Sequence, residues 1–260
     1  MEPSIPNGIR LGRFRIEDRM FVGIVDGDEV IETDQTSMED VLSHGFAEKA
    51  IRHPSLRVTV LAPFPRPSKI ICIGLNYRSH IEEMNWEVPK VPIIFTKPSS
   101  AIIGPGDDIR IPQMSSRVDY EGESAIIIGK RARHTDDGGS HIFGFTCMND
   151  VTARDLQKID PDWTRAKGFD TFAPMGPFVS GQAPTRILTR LNGNIVQDAP
   201  LSDRVFDDAA LVEYISNVMT LEPGDVIATG TPSGIAAMRP GDLVEVDLEG
   251  IGCLKNRVVS

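Results

Sequence analysis

The sequence predicts a mainly β, α+β fold, and three observations carry that expectation. Short apolar runs recur along most of the chain, Gly and Pro punctuate them, and only one segment shows a clear helical period. A length of 260 residues suffices for one large domain, or a large one with a small appendage.

Residues 1–66 read as a small N-terminal α/β unit with its linker, and 67–260 as the main, catalytic domain. Arg13 to Asp26 and Glu29 to Glu32 alternate like a short meander turning at Gly27-Asp28. A brief helix follows, opened by Ser37 with Asp40 three positions on, in the manner of a capping box. Ala62-Pro63-Phe64-Pro65-Arg66-Pro67 suits neither a helix nor a central strand and reads as a stiff linker. Beyond it, Lys69–Ile73, Val91–Phe95, Ser124–Ile128, Asp225–Thr229 and Leu243–Leu248 are expected strands. Leu211, Val212, Ile215, Val218 and Met219 share one face of a helix that starts after Asp207 and Asp208.

Against 37 acidic residues stand 27 basic ones, a net charge of −10, which argues against a nucleic-acid partner. An anionic substrate stays compatible, because a bound metal reverses the local field. Cys72, Cys147 and Cys253 form no zinc spacing and no disulfide framework. No apolar run approaches the roughly 18 residues of a membrane span. With no signal-like N-terminus either, a reduced cytoplasmic setting is expected.

The sharpest chemical feature is Asp119-Tyr120-Glu121-Gly122-Glu123, which runs into an apolar strand. Strand side chains alternate, so Glu121 and Glu123 project to the face that continues as Ala125 and Ile127, and Asp119 joins them if the strand starts early. Two carboxylates about 4 Å apart repel by ~4 kcal/mol at an effective dielectric near 20, which calls for a positive group. A solvated strand end with its acids in water is the competing interpretation. A second acid, Asp150, ends the apolar run from Phe145, and Thr152 with Asp155 is spaced to cap the helix that follows. Glu121, Glu123 and Asp150 together would make an all-oxygen site of the kind Mg²⁺ prefers. His80 and Glu83, three apart, share a side if a helical turn starts there, and a carboxylate so placed raises the basicity of an imidazole. Met84 to Pro92, with Trp86, could form a lid over them. Lys167 before Gly168, and Gly230-Thr231-Pro232, are segments built for close approach.

In combination these stretches resemble the fumarylacetoacetate hydrolase family from about Lys69 to the C-terminus. The resemblance runs in order through Ile73-Gly74, Asn76-Tyr77, His80, Glu83 and Lys97-Pro98 to Tyr120-Glu121-Gly122-Glu123. It continues through Asn149-Asp150-Val151-Thr152-Ala153-Arg154-Asp155, Trp163 to Lys167, Leu221-Glu222-Pro223-Gly224-Asp225 and Thr229-Gly230-Thr231-Pro232. It implies a curled, mixed β-sheet, a homodimer, and Mg²⁺ or Mn²⁺ held by Glu121, Glu123 and Asp150. It also implies that His80 and Glu83 activate water, that Lys167 stabilises negative charge, and that Thr231 contacts a substrate carboxylate. Lys97 is similar to a family lysine near the site. Larger members add a further acid to the metal site, and here Asn76 stands in that neighbourhood. Arg78, Trp86 and Arg165 are candidates for reading the far end of the substrate.

The activity so implied is metal-dependent hydrolysis of a C–C bond in a small 2,4-dioxo acid, of acylpyruvate or fumarylpyruvate type. His80 would deprotonate the water that attacks the 4-carbonyl, and pyruvate would leave as its enolate. Oxaloacetate-type decarboxylation and isomerisation of a 2-oxo-dienoate use the same centre and remain alternatives. A non-catalytic, metal-stabilised binding protein is the remaining one, with no evident use for His80 and Glu83.

Overall fold

The structure is a computed structural model and describes residues 4–260. The N-terminal part holds β1 (Arg10–Ile16), β2 (Arg19–Asp26), β3 (Glu29–Thr33), α1 (Met38–His44), β4 (Glu48–Pro54) and β5 (Thr59–Leu61). Next come β6 (Ile70–Gly74), α2 (Arg78–Glu83), β7 (Ile93–Lys97), β8 (Ile102–Ile103), β9 (Ile109–Arg110), β10 (Val118–Asp119) and β11 (Gly122–Ile128). The chain continues through β12 (Ile142–Asn149), β13 (Thr152–Ala153), α3 (Arg154–Ile159), α4 (Thr164–Lys167) and β14 (Ala173–Ser180). It closes with β15 (Arg186–Leu191), β16 (Asn194–Pro200), α5 (Asp208–Val218), β17 (Val226–Ala228), β18 (Leu243–Leu248) and β19 (Gly252–Val259).

Ten strands run in the order β4-β3-β2-β1-β14-β12-β11-β17-β6-β7, with β5 on β1 and β8 on β14. The sheet is mixed: β6 and β17 are parallel, whereas β11 pairs antiparallel with both β12 and β17. A second sheet runs β16-β15-β18-β19-β9, and β10 pairs β13. The mainly β, mixed-sheet architecture is the one expected. The N-terminal strands join the long sheet directly, since Arg10 and Leu11 pair with Ser180 and Val179.

Strand alternation divides the interior. Ile70, Cys72, Ala125 and Ile127 enter one apolar cluster, and Ile71, Ile73, Ile126 and Ile128 the other, so the central strands are covered on both faces. The first cluster takes in Met38, Val41 and Leu42 of α1, and the second Leu211, Val212 and Ile215 of α5. Asp207 caps α5 by accepting from Ala210 N–H, and Ser37 caps α1 by accepting from Asp40 N–H.

Three local expectations are corrected. The first meander breaks at Glu17-Asp18 into β1 and β2. Val218 is 55 % exposed, because the last residue of α5 has left the core. Thr152 does not cap α3: Thr152 and Ala153 pair with β10, and the Thr152 hydroxyl donates to Asp150 O at 2.9 Å. Asp155 accepts instead from Ser115 Oγ (2.6 Å) and Ser116 N–H (2.7 Å), which a three-residue spacing does not reveal.

Candidate active site

Glu123 sits on β11 two residues before Ala125, and so on the face of the first cluster, as the alternation predicts. Glu121 lies just before the strand, where β10 and β11 part company. The pairing of Gly122 with Asn149 brings Asp150, the residue after β12, alongside, and Asp150 N–H donates to Glu121 O at 2.8 Å. Each of the three acids offers one oxygen, and these oxygens lie within 4.8 Å of one another. Glu121, Glu123 and Asp150 are all buried, which removes the solvated strand end from consideration. Asp119 is not among them: it pairs opposite Thr152 and takes the guanidinium groups of Arg117 and Arg154, each at 2.9 Å.

Buried cations hold two of the acids. Lys167 Nζ, carried by α4, donates to Glu121 Oε2 at 2.8 Å and Asp150 Oδ2 at 2.5 Å. Lys97 Nζ meets Asp150 Oδ1 at 2.5 Å, and Arg154 donates to Glu121 Oε1. Burial alone would raise the Glu121 carboxyl, but Lys167 and Arg154 outweigh it and hold it well below the usual range. Burial would likewise lower Lys167, and the Asp150 and Glu121 charges overcome it and keep the ammonium charged. Glu123 behaves differently. Burial, with repulsion from Asp150 and Glu121, pushes it well above the usual carboxylate range. It accepts Gly230 N–H at 2.8 Å. Gly230 has φ +96, and a Cβ there would meet Asn76 Cβ at 2.8 Å, so the turn that supplies this donor requires glycine.

An all-oxygen, triply acidic donor set with one member short of positive charge fits a hard divalent cation. Bonds of about 2.1 Å span oxygens up to about 4.2 Å apart, so small side-chain rotations would close the set around an ion.

A cleft opens onto these carboxylates, lined also by His80, Trp86, Arg154, Lys167 and Thr231. His80 Nδ1 lies 3.0 Å from Glu83 Oε2 across the single turn of α2, the pairing the sequence spacing anticipates. Glu83 Oε1 accepts Gly234 N–H at 3.0 Å. With Nδ1 engaged by a carboxylate, Nε2 is the nitrogen left with a lone pair. Met84 and Trp86 line the cleft. Phe95 packs edge-on to Trp163 with centroids 5.1 Å apart, and both wall the far side.

Arg78 and Arg165 are not brought to the cleft. Arg78 is exposed, and Arg165 pairs with Asp160 at 2.5 Å on the surface. Lys97 stands behind Asp150, and it too is not in the lining. Asn76 ties the backbone of Phe206 and Thr229 together. Arg154 and Gln157, which do line the cleft, were missed as site residues. Their spacing of three on α3 was the available signal, and Arg154 Nη1 donates to Gln157 Oε1 at 2.5 Å.

Fold and site define one class of protein: a curled, mixed β-sheet whose strand ends gather buried carboxylates beside a His–Glu pair. The chain belongs to the fumarylacetoacetate hydrolase family, whose C-terminal region matches residues 69–259. A Mycobacterium tuberculosis protein is 42% identical over 262 residues, covering 96% of this chain and 98% of its own. A mitochondrial oxaloacetate tautomerase of Bos taurus, FAHD2A, is 41% identical over 223 residues, 79% of this chain and 71% of its own. The crystal structure of a 5-carboxymethyl-2-hydroxymuconate delta-isomerase from Mycobacterium smegmatis is 38% identical with a TM-score of 0.86, covering 96% of this chain and 99% of its own. Members of the family are enzymes. Among the described residues no helix is long and apolar enough to cross a membrane.

Proposed function

We propose that this chain is an Mg²⁺- or Mn²⁺-dependent enzyme that moves a proton at the carbon beside the ketone of a small anionic 2-oxo acid. Its net reaction would be keto–enol tautomerisation or the related isomerisation. The observation that carries this reading is the buried triad of Glu121, Glu123 and Asp150 opening into the same cleft as the His80–Glu83 pair. The triad would hold the cation, which when bound supplies Lewis-acid polarisation of the 2-oxo group. His80, oriented by Glu83, would take the proton at Nε2 and return it. Lys167 would balance the negative charge that develops on the substrate oxygen. Met84 and Trp86 would keep bulk water from the reacting carbon. The bovine tautomerase and the mycobacterial isomerase support this order of readings.

A second reading rests on the same pair. An imidazole held by a carboxylate can equally deprotonate water, and cleavage of a 2,4-dioxo acid to pyruvate would follow. Decarboxylation of oxaloacetate needs no further residue. Enol loss, CO₂ and pyruvate would be measured with oxaloacetate, acylpyruvates and fumarylpyruvate, in metal-free buffer and again with Mg²⁺ or Mn²⁺. Metal-dependent enol loss without pyruvate or CO₂ is the expected result. Pyruvate from the dioxo acids would establish the hydrolase, and CO₂ with pyruvate from oxaloacetate the decarboxylase. No turnover of any substrate would overturn all three.

A further inference from the structure

Gln197 is buried and lies outside the cleft lining, on β16 of the second sheet. Its amide nevertheless closes a ring of hydrogen bonds on the residue between two of the carboxylates. Gly122 N–H donates to Gln197 Oε1 at 3.0 Å. Gln197 Nε2 donates to Thr231 Oγ1 and to Pro232 O, both at 2.8 Å. The Thr231 hydroxyl donates back to Gly122 O at 2.9 Å.

This ring replaces missing sheet. β11 pairs with β17 only from Ala125 to Ile127, so the N–H and C=O of Gly122 have no ladder partner on that side. The close approach needs glycine, since a Cβ at Gly122 would stand 2.1 Å from Thr189 Oγ1 and 3.1 Å from Gln197 Oε1. The Thr231 turn rests on the same strand: a Cβ at Gly234 would fall 2.0 Å from Val196 O.

We infer that Gln197 is a positioning residue that sets the Glu121–Glu123 carboxylate pair through Gly122 and the Thr231 side chain through its hydroxyl. Thr231 lines the cleft, so Gln197 couples the carboxylate pair to a wall that the substrate would meet, and this rests on the function proposed above. Among the hydrogen bonds described, Gln197 is the side chain of the second sheet that reaches both Gly122 and Thr231.

Mn²⁺ binding read by calorimetry separates this role from the reaction itself. Gln197→Met keeps the volume and loses all three contacts, and it is expected to weaken Mn²⁺ binding about 10–100-fold, as outer partners of metal ligands do. Gln197→Glu, as a carboxylate, keeps the acceptor for Gly122 N–H and loses the donors to Thr231 Oγ1 and Pro232 O. It is expected to retain Mn²⁺ affinity and raise KM, and adding Thr231→Val to it should raise KM no further. Should Gln197→Met fail to fold by circular dichroism, the Glu variant still decides. Wild-type Mn²⁺ affinity in a folded Gln197→Met, or an unchanged KM in Gln197→Glu, overturns the role of Gln197 alone. A wild-type protein that binds no Mn²⁺ overturns the proposed function and this inference with it.

Discussion

Lys97 Nζ stands 2.5 Å from Asp150 Oδ1, and both side chains are almost completely covered. Lys167 holds the other oxygen at 2.5 Å, so Asp150 is clamped between two ammonium groups. Removing Lys97 leaves Asp150 with only one of its two buried cations, and breaking a buried pair costs up to about 3–5 kcal/mol. Lys97→Met should therefore lower the urea midpoint strongly. The exposed Arg186–Asp198 pair provides the contrast, and Arg186→Ala should leave the urea midpoint nearly unchanged. Equal effects of the two substitutions would show that the buried contact has no special weight.

His80 and Glu83 should be separable kinetically. His80→Ala removes the base and should lower kcat about 10²–10⁴-fold. Glu83→Gln leaves the imidazole in place but without its carboxylate, so a smaller loss of kcat is expected. A Glu83→Gln enzyme with the wild-type kcat would show that the 3.0 Å contact does not orient the base.

Metal should stabilise the fold through the carboxylate triad. At a concentration of 100 Kd, a ligand bound only by the folded state adds about 2.7 kcal/mol. Each kcal/mol moves Tm by about 2–4 °C in a chain of roughly this size. Mn²⁺ should thus raise the wild-type Tm clearly and leave that of Glu123→Ala unchanged. A shift that survives Glu123→Ala would place the ion elsewhere.

Acid stability should depend on Glu32. Its buried carboxylate accepts from Arg19 and pairs with His53 Nε2 at 2.6 Å, and the Arg19 hydrogen bond, followed by that of His53, brings it down to about 2. A carboxyl lowered on folding stabilises fully above its unfolded value, near 4.5, and loses that contribution as pH falls towards 2. The Arg19 side chain is 54% exposed, so solvent screening keeps the effect modest. Urea midpoints should fall less steeply between pH 5 and 3 in Glu32→Gln than in the wild type, by about the one proton that Glu32 takes up there.

Arg78 and Arg165 test the sequence-based expectation that they touch substrate. Both lie away from the cleft lining, so Arg78→Ala and Arg165→Ala should leave KM essentially unchanged. A large rise in KM for either would mean that its side chain swings into the cleft when substrate binds.

What could be read in advance follows strand period and local spacing. Alternation put Glu121 and Glu123 on the Ala125–Ile127 side, and a three-residue step joined His80 to Glu83. Arg154 and Gln197 escaped notice for different reasons. Arg154 has the composition of any surface helix residue until β10 and Asp119 fold beside it. Gln197 reaches the site from a strand 75 positions after Gly122, so only the packing of two sheets reveals it. Asp119 joins Glu121 and Glu123 only if the strand starts early, and the strand break at Tyr120-Glu121 that keeps it apart leaves no mark on the alternation.

The β11–β12 register has a consequence for how freely this chain can vary. Both strands place their acids at the end remote from residues 129–141, and that connection packs on α5, with Thr135 N–H on Ser216 Oγ and Gly138 N–H on Glu213. A register shift between Ile127 and Ile128 lies between the connection and the carboxylates and can absorb irregularity arriving from it. The connection is thus the place where insertions and deletions can accumulate without touching the chemistry. A one-residue slip within β11 has the opposite character: it would turn the Glu123 carboxylate into the apolar cluster around Ile126 and leave Gly122 or Ser124 facing Glu121 and Asp150.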